Sequence, residues 1–174
     1  MDYLTLKSII TTSSRLVRVM TNTPASVSNG VVGYYHSRED GALDATVESL
    51  FSSIGQVFSL KNEDEFSAFT VAVCSGVGFV FEIMSYWADW LEQYGIARDS
   101  AEKMVLDTFK GTVLLAEKNS EISLTQLQSK VVSKKGVTQA GLDAMNEMEL
   151  ERIIRLSFEK AVLRDKELAK FVSP

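Results

Sequence analysis

The segment from Phe79 to Tyr94 limits the possible folds of this chain more than any other segment. Its few polar side chains recur at helical spacing and form one narrow stripe, while nearly all of the others are large and apolar. The polar stripe consists of Glu82, Ser85, Asp89 and Glu92. A helix with so wide an apolar arc needs partners on most of its sides, more than one sheet face provides. The pattern therefore predicts a helix that packs among several others.

The rest of the chain falls into two parts of different character. The first part contains three strand-like runs and one helix-like run, namely Leu16–Met20, Val31–His36, about 41–54 and Gln56–Leu60. The order strand, strand, helix, strand is that of the closing part of an α/β sheet. From Asn62 onward the chain reads as helix throughout, with Asn62 as the N-cap of the first helix.

Capping and turn residues divide this second part into helices. Ser75, Gly76 and Gly78 are predicted to interrupt the first one, and Gly95 fits the cap that ends the next. Further helices are predicted from Asp99, after Ser123, over 137–145 and from Leu150 to near the C-terminus. The chain contains no internal repeat and no low-complexity segment.

Composition excludes several classes of function. The net charge of −5 argues against a nucleic-acid-binding surface, which needs a basic patch. No uninterrupted apolar run approaches the roughly 18 residues of a membrane span, and the N-terminus lacks the features of a secretory signal. With Cys74 as the sole cysteine and one histidine, neither a disulfide nor a zinc site is expected. We therefore expect a soluble, cytoplasmic protein without a nucleic-acid or membrane partner.

A glycine-bearing loop, Ser133–Thr138, leads directly into a predicted helix. A helix start offers unpaired backbone N–H groups and the positive end of a dipole, which together favour a small anion. Ser133 and Thr138 add hydroxyl groups, and Lys134 and Lys135 add positive charge. The loop is a candidate anion site, although the two lysines are equally consistent with a solvated surface turn.

The motif of a dinucleotide-binding domain does not occur in these 174 residues. Such a domain opens with a strand, Gly-x-Gly-x-x-Gly and a helix. The nearest approach is Gly76-Val77-Gly78, which lacks the third glycine and follows a helical pattern. Close packing between helices explains these two glycines better than a role in nucleotide binding.

Four segments occur in an order and at a spacing that indicate one enzyme family. They are Arg18–Pro24, Phe69–Phe79, Tyr94–Ala101 and Ser133–Thr138. In these segments the chain resembles the pyrroline-5-carboxylate reductases, which form proline in the last step of its biosynthesis. The loop keeps the family's serine, second glycine and last threonine, whereas Lys134, Lys135 and Val137 replace a proline, a glycine and a threonine. The resemblance covers nearly the whole chain, but only the C-terminal two-thirds of the family's length.

The resemblance implies a mainly α fold with a small N-terminal α/β remnant. Residues 1–61 would form the closing strands of a Rossmann-type, dinucleotide-binding domain, and residues 62–174 an all-helical dimerisation and substrate domain. In the family the helices of two subunits interlock, and the substrate lies at the seam between the subunits. The implied partners are a second copy of the chain, in a homodimer or a higher oligomer, and the small molecule pyrroline carboxylate or proline.

The resemblance also assigns ligand contacts to two segments. Ser133, Gly136, Val137 and Thr138 would hold the substrate carboxylate, mostly through backbone N–H groups, with the Thr138 hydroxyl near the imine nitrogen. Asn22, Thr23 and Pro24 would border the nicotinamide of NADP or NAD. No catalytic side chain and no metal ligand is implied, because hydride delivery to a protonated imine needs mainly positioning.

Three functions are compatible with the residues and the resemblance. The chain is the dimer-forming part of a reductase, as a fragment or a natural truncation, and is inactive alone. Alternatively it is a non-enzymatic oligomerisation or regulatory module that pairs with itself or with a full-length relative. The third function is that of a helical sensor of small anions.

Overall fold

The computed structural model describes residues 2–10, 15–37 and 40–171, with the backbone alone at 170 and 171. Two compact units can be recognised: residues 1–79 together with 155–174, and residues 80–154. The fold is mainly helical, with one small sheet near the N-terminus, as predicted. The domain boundary near residue 61 stays a prediction.

The sheet of the first unit has three strands in the order β1-β2-β3, where β1 is Arg18–Thr21, β2 is Gly30–Tyr35 and β3 is Gly55–Ser59. β1 and β2 are antiparallel, with Arg18 opposite Tyr35, and β2 and β3 are parallel, with Gly30 opposite Gly55. A parallel pair needs a crossover connection, which contains helix α2 at Gly41–Phe51. The predicted order of strand, strand, helix and strand is confirmed.

Helix α1, Tyr3–Ile9, is an element that the sequence patterns did not predict. The Asp2 side chain caps it by accepting from the Thr5 N–H at 2.8 Å. Tyr3 is buried, donates its N–H to Glu63 Oε1 at 2.8 Å and packs its ring edge-on against Tyr35. These contacts join residues far apart in the chain, so no local periodicity indicates them.

The first long helix comprises α3 at Glu63–Phe69, a π-helical segment at Thr70–Ser75 and α4 at Gly76–Gln93. Asn62 caps it by accepting from the Glu65 N–H at 2.8 Å, as predicted. The predicted interruption is confirmed at Ser75, where the π-helical segment ends, but helical backbone continues through Gly76 and Gly78. A glycine inside a helix costs about 1 kcal/mol relative to alanine and need not end the helix.

Gly33 of β2 is the point where this helix meets the sheet. A Cβ atom at Gly33 would lie 2.8 Å from two carbons of the Phe69 ring, so the ring rests directly on the strand backbone. Phe69 itself is buried, as are Phe66 and Val71 on the same helix. These side chains therefore form the core between helix and sheet in the first unit.

The second unit contains the C-terminal part of α4, then α5 at Arg98–Lys118, α6 at Leu124–Val131 and α7 at Val137–Glu147, and α8 at Leu150–Phe171 begins within it. Its buried centre consists of Ala88, Ala101 and Val105, which join α4 to α5. Gly95 has a φ of +85° and ends α4, as predicted. The predicted start at Asp99 lies one residue late, since α5 begins at Arg98.

Arg98 also joins α4 to α5 through three carboxylates. Its guanidinium pairs with Glu102 at 2.6 Å, with Glu92 at 3.0 Å and with Asp89. The hydrogen bonds to Glu102, Glu92 and Asp89 raise the pKa of Arg98 above its ordinary value. All four side chains are exposed to solvent, so the cluster fixes the geometry of the hairpin more than it stabilises the fold.

The wide apolar arc of α4 is largely exposed within one chain. Trp87 and Trp90 are 43% and 56% exposed, and Phe81 is 61% exposed. Among the described residues the helix from Glu63 to Gln93 is long and apolar enough to cross a membrane, by length and composition alone. A helix that packs between subunits meets the same criterion. The predicted close packing at Gly76 and Gly78 is wrong within this chain, because a Cβ atom at either would meet no atom within 4 Å.

Candidate functional site

The loop Ser133–Thr138 lies in the second unit, and Gly136 is the N-cap of α7. No side chain caps this helix start. The first N–H groups of an α-helix have no partner within the helix, so those of Val137 and Thr138 are open to a ligand. Val137 is 93% exposed, so this helix start lies at the surface.

Gly136 is held close to Ser133. Its N–H donates to the Ser133 carbonyl at 2.8 Å. A Cβ atom at Gly136 would lie 2.0 Å from Ser133 Oγ and 3.0 Å from the Ser133 carbonyl oxygen. The absence of a side chain at Gly136 therefore lets the Ser133 hydroxyl lie directly against the start of α7.

Lys135 adopts a φ of +60°, in the left-handed region. A side chain there costs about 1–2 kcal/mol, because Cβ crowds the following carbonyl. Lysine stands here at a position where the family it resembles has a glycine, and its φ is one that suits glycine. Lys135 therefore carries backbone strain.

We expect Lys135→Gly to stabilise the protein by about 1 kcal/mol, a rise in Tm of roughly 2–4 °C, because it removes this strain. Differential scanning calorimetry at fixed protein concentration measures the change. Lys134→Gly is the matched control, since it removes the same charge from the neighbouring loop position. A rise in Tm for Lys134→Gly equal to that for Lys135→Gly would show that charge, not backbone strain, is responsible.

Asn22, Thr23 and Pro24 lie in the first unit, where β1 ends and a 3₁₀ turn, Thr23–Val27, begins. The Asn22 side chain is buried and faces the protein, accepting from the Val31 N–H at 2.9 Å and donating to the Val73 carbonyl at 3.4 Å. Thr23 is exposed and Pro24 partly exposed. A ligand at this turn would therefore meet Thr23 and Pro24 rather than the Asn22 amide.

A cluster of polar side chains that the sequence did not indicate joins β2 to α2. Asp44 Oδ1 accepts from the Tyr34 hydroxyl and lies 2.8 Å from His36 Nε2. These hydrogen bonds, first that of His36 and then that of Tyr34, lower the pKa of Asp44. Burial and the bond to Asp44 raise the pKa of Tyr34. Because the cluster joins the sheet to a helix through hydrogen bonds, we assign it to the stability of the sheet unit.

The described residues bring no three His, Cys, Asp or Glu side chains together in a way that would hold a metal ion. Cys74 lies partly buried in the π-helical segment, and burial raises the pKa of its thiol. A thiol of raised pKa is a poor nucleophile.

These features define the class to which this chain belongs. In proteins of this class the closing strands of a Rossmann-type sheet lead into a multi-helix domain with exposed apolar faces. One helix of that domain begins with a loop whose backbone N–H donors are uncapped.

Comparison with known proteins identifies the family. Residues 63–168 match the family model described as pyrroline-5-carboxylate reductase dimerisation. The pyrroline-5-carboxylate reductase of Staphylococcus epidermidis is 28% identical over 169 residues, which are 97% of this chain and 61% of that protein. The chain belongs to the pyrroline-5-carboxylate reductase family.

Solved structures agree with this assignment. A pyrroline-5-carboxylate reductase from Coxiella burnetii superposes with a TM-score of 0.87 at 29% identity, covering 94% of this chain and 60% of that one. The Plasmodium falciparum pyrroline carboxylate reductase, whose structure has NADP bound, gives a TM-score of 0.83 at 25% identity, covering 93% and 65%. The chain thus spans about 60% of the length of its relatives. The dimerisation domain indicates homo-oligomerisation.

Proposed function

We propose that this chain supplies the dimer-forming helices and the substrate loop for the NAD(P)H-dependent reduction of 1-pyrroline-5-carboxylate to proline. The start of α7 carries the proposal. There Gly136 and Ser133 are in close contact, and the N–H groups of Val137 and Thr138 are uncapped. A carboxylate oxygen bridging such donors makes charge-assisted hydrogen bonds, which are about twice as strong as neutral ones.

Each segment has a separate role in this proposal. Ser133, Gly136, Val137 and Thr138 hold the substrate carboxylate, and the Thr138 hydroxyl lies near the imine nitrogen. Thr23 and Pro24 border the nicotinamide of NADP or NAD, which supplies a hydride when bound. The partner is a second copy of the chain in a homodimer, and the location is cytoplasmic, as suits a biosynthetic step on a soluble substrate.

We expect L-proline to raise the Tm of the chain, because a ligand that binds only the folded state stabilises it by about 2.7 kcal/mol at 100 times its Kd. Thr138→Ala is expected to abolish most of the rise by removing the hydroxyl near the ring nitrogen. Thermal unfolding with and without proline measures both. Thr125→Ala, an exposed threonine on α6, is the matched control and should respond to proline as the wild type does.

Two results would contradict the proposal. One is the same Tm with and without proline at concentrations that saturate related reductases. The other is an equal response of Thr138→Ala and Thr125→Ala. Because the 174 residues contain no Gly-x-Gly-x-x-Gly, we further expect no NADPH-dependent proline formation by this chain alone. Turnover by the isolated chain would overturn that part.

A second candidate function is a non-enzymatic module that assembles with a full-length reductase. The strained Lys135 and the exposed apolar side chains of α4 and α5 favour it, since the loop departs from the family's sequence and exposed apolar side chains suit assembly. Co-expression with a complete reductase tests it. Hybrid dimers of altered activity would support this function, and exclusive self-pairing of the two proteins would exclude it.

A further inference from the structure

We propose that Asn22 is a positioning residue, which fastens the end of β1 and the Thr23–Val27 turn to the π-helical segment of the long helix. The importance of the turn for a nicotinamide rests on the proposed function. The attachment of the turn to the helix, called the tie below, rests on the contacts of one buried amide.

Both ends of the Asn22 amide have a partner. Oδ1 accepts from the Val31 N–H at 2.9 Å, and Nδ2 lies 3.4 Å from the carbonyl oxygen of Val73. The Val31 donor fixes the orientation of the amide, because only the oxygen can accept from an N–H. Nδ2 must then face Val73. Aspartate has no donor for this carbonyl when ionised, and alanine reaches neither partner.

The other end of β1 is tied to the same helix. Arg18 pairs with Glu63, and its guanidinium carbon lies 3.9 Å from the centre of the Phe66 ring. Four strand steps from Arg18 to Asn22 span about 13 Å, and ten helical residues from Glu63 to Val73 span about 15 Å. The strand therefore lies along the helix and is held at both ends.

The tie at Asn22 is the one next to the turn. Val73 belongs to the π-helical segment Thr70–Ser75, and π-helical turns often occur at functional sites. Losing the tie would let the turn shift relative to this segment. A displacement of about 1 Å costs about 100-fold in the rate of a reaction that depends on alignment. Asn22 would thus act through Thr23 and Pro24 rather than by touching the nicotinamide.

Cys74 offers a direct test, because it is the sole cysteine and follows Val73. We expect Asn22→Ala to make Cys74 react about fivefold faster with 4,4′-dithiodipyridine, the factor that corresponds to one lost hydrogen bond. Asn29→Ala is the matched control, since the Asn29 amide bonds only the nearby Val27 carbonyl at 2.9 Å. An unchanged rate in a folded Asn22→Ala variant would overturn the proposal.

Asn22→Asp separates the tie from folding, because it keeps the acceptor for Val31 and loses only the donor. Its rate relative to wild type should be raised about fivefold at pH 8, where the carboxylate has no hydrogen to donate to Val73. A ratio equal to one at pH 8 would contradict the tie even if Asn22→Ala does not fold.

The thiol assay uses neither substrate nor nucleotide, so the two proposals fail separately. If the Cys74 rates are as expected but proline does not raise the Tm, the tie is supported and the proposed function is contradicted. Stabilisation by proline with Cys74 rates equal to wild type in both Asn22 variants would overturn the tie alone.

Discussion

Replacing Trp90 with aspartate is expected to weaken self-association of the chain by at least about 100-fold. Trp90 lies in an open apolar groove of about 570 Å³ between α4 and α5, lined by Tyr86, Trp87, Trp90, Leu91, Met104, Val105 and Thr108. Buried tryptophans contribute about 2–4 kcal/mol at interface hot spots, and an unpaired carboxylate at the same place adds a desolvation cost.

Sedimentation velocity over a concentration series measures the effect of Trp90→Asp. Within its own chain Trp90 contacts Tyr94 and is 56% exposed, so the monomer should still fold, as circular dichroism will check. Lys103→Ala is the matched control, because Lys103 makes only an exposed ion pair with Asp107 at 3.1 Å. Such pairs contribute little. If Trp90→Asp associates as tightly as Lys103→Ala, this groove is not the contact between subunits.

Phe69→Ala is expected to destabilise the first unit by about 3–5 kcal/mol, a large part of the stability of a typical domain. The Phe69 ring is buried and rests on Gly33 of β2. Its loss removes apolar burial and leaves a cavity between helix and sheet. Urea unfolding followed by circular dichroism measures the free energy of unfolding.

Gly33→Ala provides the complementary change. The new methyl group would lie 2.8 Å from the Phe69 ring, which we expect to cost about 1–3 kcal/mol through overpacking. In the double variant the methyl group occupies part of the space that the ring vacates. The double variant should therefore be more stable than the sum of the single effects predicts, by about 0.5–3 kcal/mol.

Gly41→Ala is the control for a change from glycine to alanine, because a Cβ atom there meets nothing within 4 Å. We expect its stability to be equal to that of the wild type or slightly higher, since alanine is the better helix former. Strict additivity of Gly33→Ala and Phe69→Ala would show that the ring and the glycine do not share one packing contact.

Much of the fold could be predicted from local patterns. The capping residues Asn62 and Ser123 fix two helix starts, and the structure confirms both, the second as a full capping box with Gln126. Gly95 ends α4 in the left-handed conformation that makes glycine the usual residue there. These signals are short-range, since each depends on hydrogen bonds within three or four residues, and so they can be read from sequence.

The errors occurred where distant contacts decide the structure. Helix α1 depends on Tyr3 meeting Glu63 and Tyr35, which are distant from it in the chain. The candidate site shows the same difference between local signals and distant contacts. The residues of the Ser133–Thr138 loop were visible as a motif, but the inward orientation of the Asn22 amide follows from its bonds to Val31 and Val73.

The sequence by itself determined the mainly helical class, the succession of strands and helix in the first part of the chain, the family resemblance and the loop that precedes α7. Hydrophobic periodicity, capping and glycine placement act locally, and therefore survive in a one-dimensional pattern. Only the tertiary structure decided that Gly33 contacts the Phe69 ring and that Asn22 ties a strand to a π-helical turn. Those features arise when segments far apart in the chain meet, and burial and hydrogen bonding between them set each geometry.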